Sequence, residues 1–104
     1  MPVELVWRPQ ALEDLMDIYV TIGLDSPDAA ERIYSSIEAR AEMLPDFPRL
    51  GPRRRDIAST ARVLVEGAYL VLYELHPDTD EGLIESVEIV RVVDGRRELS
   101  RLFQ

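Results

Sequence analysis

Apart from one histidine, every side-chain cation in this chain is arginine; lysine is absent from its 104 residues. Arg53, Arg54, Arg55, Arg62, Arg91, Arg96 and Arg97 fall in segments that a sheet could bring together. A pocket lined by guanidinium groups can stabilise a phosphorane-like transition state and so cut RNA, provided a base activates the 2′-hydroxyl. That base is missing. Arginine does not deprotonate usefully, Tyr69 and Tyr73 lie within a strand pattern and are expected to pack, and the tail aromatic is Phe103. The other reactive types are weaker still. His76, just before Pro77 and beside an acidic turn, reads as an exposed turn residue. No Gly-x-Ser-x-Gly elbow occurs, and five scattered glycines build no phosphate-cradling loop. Glu13, Asp14 and Asp17 read as the solvated back of a helix, and Asp78, Asp80 and Glu81 lack the spacing and closing glutamate of a calcium loop. With no cysteine and a single histidine, thiolate and His-rich zinc sites are excluded. No catalytic residue is assigned, and neither a metal nor a cofactor is expected.

Charge is distributed in blocks. The net −8 divides into an acidic stretch over residues 1–48, a basic one over 49–62, an acidic one without a cation over 63–90, and a basic tail over 91–104. An acidic whole argues against DNA binding by the chain alone, because that affinity comes from many phosphate contacts. Arginine gathered in two segments still suits a local carboxylate-bearing or anionic partner. No apolar run approaches the ~20 residues of a spanning helix, and residues 1–10 lack the layout of a signal peptide. A reducing cytoplasm and no membrane contact are expected. The length predicts one domain, 1–104, with one modest core.

The elements that must position these residues follow from periodicity. Val3, Leu5 and Trp7 alternate as a short strand. Pro9 opens a helix whose apolar stripe is read as Leu12, Leu15, Met16, Tyr19 and Ile22, with Gly23 as its stop. Ser26-Pro27-Asp28 restarts a helix with an N-cap hydroxyl, a first-turn proline and an acid facing the dipole. Ala30, Ile33, Tyr34, Ile37, Ala41 and Leu44 carry that helix to Pro45. The two form an antiparallel hairpin. Residues 46–61 read as a loop without clean period. Strands follow over 62–65, 68–75 and 83–93, and one or two final helical turns over 96–103. Short turns make those strands antiparallel. The fold class is α+β, β-α-α-β-β-β, with the helices gathered on one face of the sheet. Pattern leaves open which strand the first one joins.

These residues carry a family likeness. Val3-Glu4-Leu5-Val6-Trp7-Arg8-Pro9 with Ala11, Asp14-Leu15 and Ile18-Tyr19 resembles the start of the RelE/ParE toxin superfamily. So do Phe47-Pro48-Arg49-Leu50-Gly51, Arg62 entering a strand, Tyr69-Leu70-Val71-Leu72-Tyr73 and Val90-Arg91-Val92-Val93. The tail Gly95-Arg96-Arg97-Glu98-Leu99, ending Leu102-Phe103, looks like the ParE branch. The resemblance implies a RelE/ParE-like fold and the toxin of a type II toxin–antitoxin pair. The ParE branch acts on DNA gyrase and blocks replication, with growth arrest; the RelE branch cuts mRNA in the ribosome. Phe103 at the C-terminal aromatic position, the missing lysine and the acidic balance favour the gyrase reading.

On this resemblance, Arg91, Arg96, Arg97, Arg101 and Phe103 are the expected target contacts. A ParD-type antitoxin whose C-terminal segment folds on binding is expected to touch Leu12, Leu15, Tyr19, Ile33 and Ile37, with Arg53, Arg54 and Arg55 meeting its acids. The free chain should then expose an apolar patch of several hundred Å². Two other readings stay open: an mRNA endonuclease using Arg62, Arg91 and Arg97, and a non-toxic partner kept for operon autoregulation.

Overall fold

A computed structural model describes residues 2–96. It contains β1 (Glu4–Trp7), α1 (Pro9–Gly23), α2 (Pro27–Glu42), β2 (Arg62–Glu66), β3 (Tyr69–His76) and β4 (Ser86–Asp94). The strands form one sheet in the order β1-β4-β3-β2. β2–β3 and β3–β4 are antiparallel, and β1 runs parallel to β4 from Glu4↔Ser86 to Trp7↔Ile89. The first strand therefore joins the last, the neighbour that pattern left open. A parallel pair needs a crossover, and here the crossover is the whole α-hairpin with β2 and β3. The final helical turns expected over 96–103 lie, apart from Arg96, outside the described residues.

Local chemistry accounts for the helix ends. Pro9 begins α1 after extended Arg8, whose carbonyl accepts the Leu12 N–H at 3.1 Å. At α2, the Ser26 hydroxyl accepts the Ala29 N–H at 3.2 Å, with Pro27 in the first turn, Asp28 behind it and Arg40 in the last turn. The second helix stops at Glu42, short of the expected Pro45, because a residue preceding proline is pushed out of the α region. β4 starts at Ser86 instead of Leu83. Gly82 has φ +91°, and the hairpin closes only at the Glu85 N–H to His76 carbonyl bond of 2.8 Å.

Both faces of the sheet are covered. On one, Ala11, Leu15, Ile37, Ala41 and Leu44 of the helical layer pack on Leu64, Val71, Tyr73, Leu75, Val87, Ile89 and Val92. On the other, the supposedly featureless loop supplies Ile57, Ala58 and Ala61 over Val63, Leu70, Leu72, Val90 and Val93. A bulge links the two. Leu72 pairs with Arg91 and Tyr73 with Ile89, so β4 carries an extra residue at Val90. That insertion shifts the alternation and lets Ile89 and Val92, three apart, both meet the helices. Among the described residues no helix is long and apolar enough to cross a membrane.

Candidate protein-binding surface

Asp14 anchors α1 to the sheet. It is buried, with its carboxylate accepting from Arg91 Nε at 2.7 Å and Nη2 at 2.9 Å. The Val92 backbone N–H adds a third bond at 3.0 Å, and Gln10 a fourth at 3.2 Å. β1 ends opposite Ile89, so among the described residues the rest of β4 has no strand on that side, and the helix carboxylate takes the N–H a strand would have taken. Burial pushes the Asp14 carboxyl upward, but the bonds from Arg91, Val92 and Gln10 outweigh it and hold it below its ordinary range. The solvated helix back expected for Glu13, Asp14 and Asp17 is thus corrected at Asp14. Arg91, expected to face a target, spends its bidentate guanidinium inside the chain.

The basic segment 49–62 is likewise engaged internally, on the acidic turn over 77–82. Arg49 donates to the Thr79 carbonyl and hydroxyl, each at 3.2 Å, and to the Gly82 carbonyl at 3.1 Å. Arg53 pairs with Asp78 at 2.8 Å and Asp80 at 2.6 Å. Buried Arg62 reaches Asp80 at 3.2 Å and the Gly51 carbonyl at 3.0 Å, while its Nε finds no protein partner. Arg54 pairs with Asp56 at 2.7 Å, and Arg55 is exposed. Asp80 is held below its ordinary range by its hydrogen bond from Arg53. Tyr73 completes the clamp: its hydroxyl donates to the Pro48 carbonyl at 2.9 Å and accepts the Gly51 N–H at 2.8 Å. A Cβ on Gly51 would come within 2.6 Å of the Val63 carbonyl oxygen. That position needs glycine.

The described arginines therefore do not converge on one pocket. α1 lies against β4, whereas Arg53 bridges β2, the far edge of the sheet. Arg96 pairs with neighbouring Asp94 at 2.7 Å and is exposed. Arg97, Arg101 and Phe103 lie outside the described residues.

The apolar candidates separate in a similar way. Leu15 and Ile37, expected at an antitoxin interface, are 2% and 0% exposed and belong to the chain's own core. They face inward because α1 turns Ala11, Asp14 and Leu15 toward the sheet, and α2 turns Ala30, Ile37 and Ala41. Leu12, in contrast, is 50% exposed. It continues along the outer side of α1 into Met16 at 52% and Val20 at 53%, with Leu24 just past the helix end. A row of exposed apolar side chains of this kind marks interaction sites on monomers. Tyr19 flanks it, stacked edge-on against Tyr34 at 5.5 Å, its hydroxyl donating to Glu31 at 2.7 Å. That bond to the Glu31 carboxylate raises the Tyr19 hydroxyl above its usual range. Ile33 is half-buried and lines a recess of about 230 Å³ with Ser36 and residues 66–69. A second recess, about 250 Å³, opens between α1 and the end of β4 around Asp17, Ile18, Tyr69 and Asp94. Met16, Val20 and Leu24 are additions to the expected set. Their spacing of four signalled them, but the same helix offers two apolar stripes.

Two structural features missed in the sequence sit on the sheet face away from the helices. Arg8, at the junction of β1 and α1, reaches Glu88 at 2.8 Å and Glu74 at 2.9 Å. His76, expected in a turn, is the last residue of β3, with Nε2 3.0 Å from Glu88 Oε1. The Arg8 hydrogen bond lowers Glu88 from 4.5 to about 2.

With this geometry in place, comparison with known proteins is direct. Residues 5–99 match the family described as the ParE toxin of the type II toxin–antitoxin system, parDE. The chain belongs to that toxin family. It is 30% identical over 74 residues to the protein named "Putative toxin Y4kP" of Sinorhizobium fredii (strain NBRC 101917 / NGR234), covering 71% of this chain and 77% of that one. A solved structure titled "Chromosomal ParDE TA system from P. aeruginosa" superposes with a TM-score of 0.70 at 20% identity, over 88% of this chain and 95% of that one. It shows the shared β-α-α-β-β-β fold.

Proposed function

We propose that this ParE-type toxin acts by gripping other proteins: it inhibits DNA gyrase in the cytoplasm, arrests growth, and is neutralised by a ParD-type antitoxin. The observation that carries this reading is the outer stripe Leu12, Met16 and Val20, an apolar helix side that the described residues leave uncovered. An amphipathic antitoxin helix suits that stripe, and the Ile33 recess between α2 and the β2–β3 turn offers a separate apolar contact. Tyr19 borders it, and Arg55 is the exposed cation of its segment. Arg53 and Arg54 would have to release Asp78, Asp80 and Asp56 to meet antitoxin acids. The gyrase contacts are assigned to the tail residues Arg96, Arg97, Arg101 and Phe103, with Arg91 holding the helix beneath.

RNA cleavage is the less favoured chemistry. Arg62 is buried under the 48–52 loop and Arg91 is held through Nε and Nη2 by Asp14, so neither is poised to clamp a phosphate bidentately. The test is induction without antitoxin, alongside supercoiling by purified gyrase. Growth arrest with blocked supercoiling is expected. Arrest with cleaved mRNA and intact supercoiling overturns the reading in favour of an endonuclease, and unimpeded growth overturns it in favour of a non-toxic regulatory partner.

A further inference from the structure

We propose that Glu74, His76 and Glu88 form a site for a divalent cation of the zinc class. The three side chains come from adjacent antiparallel strands, with Glu74 directly opposite Glu88 and His76 two residues further along β3. Their nearest donor atoms all lie within 4.8 Å of one another. His76 Nε2 is 3.0 Å from Glu88 Oε1 and 3.6 Å from Glu74 Oε1. A tetrahedral zinc with bonds of about 2.0–2.1 Å sets its ligand atoms about 3.3–3.4 Å apart. The two spacings from His76 bracket that value and the carboxylate pair lies within 4.8 Å, so side-chain shifts close the site.

A metal would share this charge site with Arg8. Like charges directly opposite on neighbouring strands repel, so the Glu74–Glu88 pair calls for a cation. Arg8 now supplies it, with Nη2 at 2.9 Å from Glu74 Oε1 and 3.2 Å from Glu88 Oε1. A bound metal displaces only those two contacts. Arg8 Nε stays on the other oxygen, Glu88 Oε2, at 2.8 Å, and becomes an outer anchor that orients the carboxylate. One imidazole with two carboxylates favours zinc over the hard cations magnesium and calcium, which demand six or more oxygens. Competition from Arg8 makes the site weaker than closed four-ligand centres. Its effect is to clamp the end of β3 to β4 and to the β1–α1 junction.

Because the chain has one histidine, its ring resonances report on this site alone. The test titrates zinc ion into tag-free chain at about pH 7.5, where imidazole binds as the neutral base, followed by calorimetry and the ring signals of His76. Expected are one equivalent bound, a shift of those signals, and none with magnesium ion. His76→Gln and Glu74→Gln each weaken zinc binding at least about tenfold. The unfolding temperature of His76→Gln in chelator stays near wild type, since the ring is half-exposed. Unmoved ring signals at excess zinc, or undiminished binding to a folded His76→Gln chain, overturn the proposal.

Discussion

The two long sides of α1 are both apolar, yet one is core and the other is surface. The inner side carries Ala11, Leu15 and Ile18 against the sheet; the outer carries Leu12, Met16 and Val20 in solvent. Hydrophobicity alone does not choose between them. Asp14 does, because its carboxylate meets Arg91 and the unpaired Val92 N–H only when its side of the helix turns inward. One buried polar anchor thus accounts for which stripe packs on the sheet and which stays exposed.

The sharpest way to break this comparison is Asp14→Ala. It strands a largely buried guanidinium and a strand N–H, and should lower stability by about 3 kcal/mol, read from the shift of the urea midpoint. A loss under about 1 kcal/mol would show that packing, not the anchor, orients the helix. Next comes Tyr73→Phe, which removes the hydroxyl between Pro48 and Gly51. Leaving those backbone groups unpaired should cost about 2 kcal/mol and loosen the 48–52 loop, visible as faster amide exchange at Gly51.

Acid supplies a smaller effect. Asp14 and Glu88 both have folded pKa values below their ordinary ones, with Glu88 lowered from 4.5 to about 2. Their contribution is therefore fully present above the unfolded carboxylate range and lost as pH falls toward the folded values. For partly solvated Glu88 this amounts to about 1–2 kcal/mol between pH 6 and pH 2. Denaturation midpoints across that range measure it, and Arg8→Gln should flatten the acid limb. Smallest is Arg54→Gln. Its ion pair with Asp56 lies at the surface, and the midpoint should stay at the wild-type value within error.

Much of the architecture was legible in the residues. The Ser26-Pro27-Asp28 restart, the alternation of Tyr69 to Leu75 and the order of elements all appear where expected, because caps and periodicity are local signals. Contacts distant in sequence were not. The parallel pairing of β1 with β4 spans some eighty residues, and nothing in Val3 to Trp7 encodes its partner. Asp14 looked like any exposed helix acid, since its burial depends on where β1 ends. At the surface, Leu12 is exposed as an interface residue must be, but Leu15 lies in the core: with apolar residues around most of α1, spacing cannot say which stripe faces in. Arginine clustering was read as availability, whereas Arg53 and Arg62 are consumed by the Asp78–Asp80 turn that the charge blocks already placed in the adjoining segment.

The outer stripe of α1 is the feature on which the proposed partner binding rests, and it can be tested without touching the core. Leu12, Met16 and Val20 replaced together by serine should leave the unfolding midpoint within about 1–2 kcal/mol of wild type, mostly from lost helix propensity. Titration of the variant with the cognate antitoxin should then show affinity reduced at least about a hundredfold, roughly the loss of two apolar anchors. A folded triple variant that binds antitoxin as tightly as the parent chain would contradict the assignment of this surface.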